Sequence, residues 1–64
     1  MRIDRVKLIA EMARQCIKTQ ELADRACVSR ATITSLRSGK SCTENSIRRV
    51  VAALGVSVDD LKED

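Results

Sequence analysis

A chain of 64 residues with no histidine, no aromatic residue and no proline holds one small domain, residues 1–64, and buries only about 60% of the surface its unfolded form exposes. The net charge of +3 is modest but unevenly spread: Arg14 to Arg49 carries eight basic side chains against three acidic ones, while Val50 onward has one lysine and four carboxylates. A basic middle and an acidic tail suit a polyanion met by one face, and the inventory excludes a histidine-based active site, a phosphate-cradling glycine loop and room for a substrate pocket.

The first helix is predicted from about Ile3 to Arg14. Ile3, Val6, Ala10, Ala13 and Ile17 recur at spacings of three and four, which places them on one stripe, and Leu8, Ile9 and Met12 widen it. The second helix starts near Thr19, whose hydroxyl is suited to cap the free amides of a first turn, and carries Leu22, Ala23 and Ala26 inward. Cys27 and Val28 break it. Ser29 is an N-cap for a third helix running to about Ser38, and Gly39 supplies the left-handed residue that commonly ends a helix. A loop from Lys40 to Cys42 leads to Thr43, the next cap. The fourth helix turns Ile47, Val50, Val51 and Leu54 to one side and stops at Gly55. Ser57 caps a short fifth helix whose first turn holds Asp59 and Asp60, where the helix dipole favours negative charge.

Cys16, Cys27 and Cys42 are widely spaced and no histidine accompanies them, so neither a zinc site nor a histidine-activated thiol is expected. They read as small apolar fillers. No cofactor, metal or small-molecule ligand is expected. No apolar run approaches the roughly 18 residues that span a bilayer, no signal peptide is visible, and the chain reads as cytoplasmic with reduced thiols.

The informative pattern lies at residues 19–38. Ala23 is small where the third helix crosses the second, Cys27 occupies the turn, and Val28 fills the space beneath it, while Ile33 and Leu36 face back into the core. On a wheel at about 100° per residue, the side opposite Ile33 and Leu36 is Ala31, Thr34, Ser35 and Ser38, flanked by Arg30 and Thr32. Short polar side chains let a helix sink into a major groove, and an arginine at its mouth reaches a guanine edge bidentately.

The runs Thr19-Gln20-Glu21-Leu22-Ala23, Val28-Ser29-Arg30-Ala31-Thr32-Ile33 and Ser38-Gly39-Lys40, with the ending Ala53-Leu54-Gly55-Val56-Ser57-Val58-Asp59-Asp60-Leu61, resemble the Cro/CI-type (XRE) helix-turn-helix domain of phage repressors and bacterial regulators. The resemblance implies an all-α, lambda repressor-like bundle of five helices and a homodimer on an inverted-repeat operator in duplex DNA. It implies base contacts from Ser29, Arg30, Ala31 and Ser35, to which the wheel adds Thr34. It implies phosphate contacts from Thr19, Gln20, Lys40, Ser41 and Thr43, with Lys18, Arg37 and Ser38 beside them. The sequence departs from the pattern at Cys27, where glycine is usual, at Arg37, where glutamate is common, and at Thr19, where glutamine is frequent. The dimer contact is expected from the last two helices through Val56, Val58 and Leu61. The competing reading is a protein-interaction module, such as an antitoxin or anti-repressor, whose apolar patch would be Leu8, Ile9, Met12 and Cys16.

Overall fold

The computed structural model describes residues 2–63, which form five helices and no strand. The first, α1, is Arg5–Arg14, shorter at its start than the hydrophobic spacing suggests. Asp4 is its N-cap: the carboxylate accepts from the amides of Val6 (2.8 Å) and Lys7 (3.4 Å). Ile3 lies outside the helix in extended backbone and pairs with Lys62 in an isolated antiparallel bridge.

The expected stripe on α1 is therefore corrected. Its buried residues are Leu8 and Met12, whereas Val6 is 66% exposed, Ile9 is 39% exposed, and Ala10 and Ala13 face solvent. Ile3 and Ile17 are buried, but from beyond the two helix ends, where the 3.6-residue phase no longer holds. Two long side chains four residues apart bury more apolar area than alanines can, and they decide which face turns inward.

The second helix, α2, is Thr19–Ala26 and buries Leu22, Ala23 and Ala26 as expected. Its N-cap is Lys18, without a side-chain capping bond. Thr19 is the first helical residue, and its hydroxyl is engaged elsewhere. The third, α3, is Arg30–Arg37, with the Ser29 hydroxyl accepting from the Thr32 amide at 3.2 Å. The fourth, α4, is Glu44–Leu54, capped in the same way by Thr43 on the Ser46 amide at 3.2 Å. The fifth, α5, is Val58–Leu61, where the Asp60 carboxylate reaches back to the Ser57 amide at 3.0 Å.

The first four helices end in one way. After each, a residue at positive φ lets two amides fold back onto the last turn. In α2 these are Val28 to the Ala23 carbonyl (3.1 Å) and Cys27 to the Asp24 carbonyl (3.3 Å). Glycine fills the left-handed position after α3 and α4, at Gly39 and Gly55, but cysteine fills it after α1 and α2, at Cys16 (φ 54°) and Cys27 (φ 57°). Both thiols are exposed, so these cysteines serve as turn residues rather than core filler. Cys42 alone packs, half-buried, against the core.

Around this frame α2 packs on α3 and α4, α1 on α3 and α5, and α5 on α4. Ile33, Leu36, Ile47, Val50 and Leu22 are wholly enclosed, and no polar or charged side chain is buried among the described residues. The two ends of the chain are knitted together: the Asp4 amide donates to the Leu61 carbonyl at 2.7 Å and Lys7 Nζ to the Lys62 carbonyl at 3.1 Å. The initial segment also touches the turn after α3, with Arg2 Nη2 donating to the Gly39 carbonyl at 2.7 Å.

Candidate nucleic-acid interface

Burial of Ile33 and Leu36 fixes the rotation of α3 about its own axis. Arg30, Ala31 and Thr34 are left exposed and Ser35 half-exposed, with Ser29 exposed just before the helix and Ser38 just after it. All five side chains expected at base edges therefore share one outward region. The phosphate set lies at its margins, with Lys18, Gln20, Arg37, Lys40, Ser41 and Thr43 exposed and Thr19 partly covered.

Lys18, Thr19, Gln20, Arg30 and Arg37 are brought together around one open cleft of about 620 Å³, with Met12 and Ile17 among its lining. Arg37 is central. Its Nη1 donates to Thr19 Oγ1 at 2.7 Å, joining the last turn of α3 to the first residue of α2. Because that oxygen accepts from Arg37, the hydroxyl hydrogen of Thr19 remains available to an incoming acceptor. The other hydroxyls are committed differently. Ser38 Oγ donates to the Thr34 carbonyl at 3.0 Å, and Thr43 Oγ1 donates to Ser46 Oγ at 2.9 Å while capping α4. Ser29 Oγ is shared between the cap and Thr32 Oγ1. Gln20 donates its amide to Asp24 along α2 at 3.0 Å. Thr43 thus orients the start of α4 through its own hydroxyl.

Charge is sorted across the surface. Glu11 holds Arg14, Glu21 holds Arg25 and Glu44 holds Arg48, each within one helix. Glu11 is the tightest of the three sites: donation first from Arg14 and then from Gln15 keeps its carboxyl below the usual carboxylate range, and Arg14 is correspondingly raised. Gln15 also donates to the Leu54 carbonyl at 2.7 Å, which ties α1 to the end of α4. Arg30, Arg37, Lys18 and Lys40 have no acidic partner among the described residues. Four unneutralised cations thus gather around α3, while Arg49 reaches only the Cys27 carbonyl from α4.

Of the residues expected at a dimer contact, Val56 and Val58 are half-buried and pack against the core from its edge. Leu61 is 1% exposed. Its side chain fills the domain's own interior, which leaves almost no area for a partner. The apolar patch of the interaction-module reading is likewise altered. Leu8 and Met12 belong to the core, and only Ile9 and Cys16 of that set reach the surface. No group of potential metal ligands occurs among the described residues.

Two helices joined by a left-handed turn, the second exposing short polar side chains ringed by free cations, define a helix-turn-helix protein. A helix-turn-helix family model of the Cro/CI-like (XRE) type matches residues 9–61, and the chain belongs to that family. Neither the curated proteins nor the solved structures supply a match. The family is one of DNA-binding regulators. No helix among the described residues is long and apolar enough to cross a membrane.

Proposed function

We propose that the chain acts as one sequence-specific DNA-binding domain, a cytoplasmic transcriptional repressor that occupies an inverted-repeat operator as a homodimer. The observation that carries this reading is the sorting of charge: intrahelical carboxylates neutralise Arg14, Arg25 and Arg48, while the cations flanking α3 stay free. Phosphate neutralisation supplies most of the affinity of such a protein, and base edges supply its selectivity. Ser29, Arg30, Ala31, Thr34 and Ser35 read bases in the major groove. Arg37, Thr19, Lys18 and Gln20 grip phosphate beside the cleft, and Lys40, Ser41 and Ser38 do so beyond the end of α3, with Thr43 presenting the start of α4. Size supports pairing on one duplex face. The Cα envelope is 26 Å in its longest dimension, so two copies about 34 Å apart (one helical turn) fit side by side without overlapping.

Selection of random duplex DNA by the purified protein at moderate salt tests this directly. The expected product is an inverted repeat with half-sites about one helical turn apart, and a folded protein that enriches no sequence would defeat the proposal. Arg30→Ala should then cost about 1–3 kcal/mol and relax preference at one base position. An equal loss on every sequence would make Arg30 a phosphate contact instead.

The competing reading, a protein-interaction module, keeps one supporting observation: Val6 and Ile9 are large apolar side chains left in solvent on α1. A complex held by that face would persist as salt is raised, whereas phosphate-driven binding falls steeply.

A further inference from the structure

The basic edge around α3 does not end with the residues of the helix-turn-helix. Arg2 and Arg5 come from the start of the chain, yet both lie against the turn that follows α3. Arg2 Nη2 is 2.7 Å from the Gly39 carbonyl, and Arg5 Cδ is 3.6 Å from the point where a Cβ on Gly39 would stand. Gly39 sits between Ser38 and Lys40, both in the phosphate-gripping set. Arg2 is not on a loose arm: Ile3 beside it is buried, and the next amide is bonded to Leu61.

Both arginines are exposed, and neither is ion-paired among the described residues. Arg2 uses one guanidinium donor on the Gly39 carbonyl, which leaves the remaining donors of a five-donor fork free. The carbonyl contact also fixes where those donors point, so less rotamer freedom is lost when an anion arrives.

We infer that Arg2 and Arg5 form, with Lys40, a second phosphate-contacting cluster that binds the DNA backbone beyond the end of the recognition helix. This rests on the DNA-binding reading given above. It adds contacts that carry no sequence information, because guanidinium groups on phosphate oxygens position a protein without reading bases.

The test is the salt dependence of binding to the selected duplex, with retained helical circular dichroism as the check on folding. Each phosphate contact contributes about 0.9 to the slope of log affinity against log salt on B-DNA. An Arg2→Gln, Arg5→Gln double variant should therefore lose about 1.8 units of slope, which is roughly a tenfold smaller fall in affinity between 50 and 200 mM salt. Its ranking of base sequences should stay the same. Arg5→Gln alone, which leaves the Arg2–Gly39 bond in place, should lose about half of that slope. The charge-conserving Arg2→Lys, Arg5→Lys variant should restore it.

Arg14→Gln removes the same charge from a residue held by Glu11, and its slope should match the parent. An unchanged slope in folded Arg5→Gln, or an equal fall in Arg14→Gln, would overturn the second cluster while leaving DNA binding intact. A parent protein that binds no duplex would remove both readings together.

Discussion

Replacing Cys27 with glycine should make the protein more stable, although it deletes a side chain. Cys27 sits at φ 57° and ψ 40° after α2, a conformation that costs an L-residue about 1–2 kcal/mol because Cβ crowds the following carbonyl oxygen. Glycine removes that cost but brings a more disordered unfolded chain, which takes back about 0.5–1 kcal/mol. Little burial is lost, since the residue is exposed. The bonds that define the turn are all made by backbone atoms, including the Cys27 carbonyl that accepts from Arg49 at 3.4 Å. The difference leaves a gain of about 0.5–1 kcal/mol, which in a domain of this size raises the melting midpoint by about 2–8 °C. Thermal denaturation followed by circular dichroism under reducing conditions measures it, with Cys27→Ala as the reference that keeps the strained backbone and removes the thiol. Cys27→Val should melt lowest, because a β-branched residue fits the left-handed region worst. A glycine variant melting at or below the alanine variant would refute the reasoning.

Three further outcomes are expected. Thr19→Val, which deletes the hydroxyl held by Arg37, should weaken binding by about 1 kcal/mol on selected and random duplexes alike; a loss confined to the selected sequence would give Thr19 a base-reading role. Leu61→Ala should cost about 2–5 kcal/mol, enough to abolish or greatly broaden the melt of so small a domain. If residual structure instead returned as protein concentration rose, Leu61 would lie at a subunit contact after all. In acid, Glu11 should matter more than its exposed neighbours. Its folded-state pKa is depressed, so its contribution is present above the unfolded value near 4.5 and lost as pH falls through the lower folded one. Glu11→Gln should flatten the acid limb of the stability curve in that window, and superimposable limbs would show that the Arg14 and Gln15 bonds add nothing.

The region from α2 to α4 was legible because its determinants are local. Ser29 and Thr43 cap the helices that follow them, Gly39 and Gly55 take the left-handed turns, and Ile33 with Leu36 sets which side of α3 faces out. These are decisions made within a few residues by sterics and short-range bonds. The α1 face was not legible. The spacing from Ile3 to Ile17 suits a longer helix, and only the tertiary fold shows that both isoleucines leave the helical phase while Leu8 and Met12 turn inward. Cysteine carries no strong signal for a left-handed turn, so the turn residue Cys16 was hidden although α1 ends at Arg14 as expected, and the cap of α2 is Lys18, one residue before Thr19. In the candidate interface, the outward set on α3 followed from periodicity. The Arg37–Thr19 bond and the approach of Arg2 to Gly39 join residues 18 and 37 positions apart, which no local pattern specifies.

The clasp between the chain ends bears on the order in which the bundle assembles. Turns and helix pairs within residues 19–54 close short loops, whereas the Asp4–Leu61 and Lys7–Lys62 bonds close nearly the whole chain, with a separation of 55 residues in the second. Long closures carry the larger entropy cost and are favourable only once the intervening chain is compact. The seam between Ile3 and Lys62 is therefore the last to zip, and its closure brings the core side chains Ile3 and Leu61 into place together. Hydrogen exchange at the Asp4 amide, bonded to the Leu61 carbonyl, compared with amides inside α2, tests whether the seam opens ahead of the whole domain.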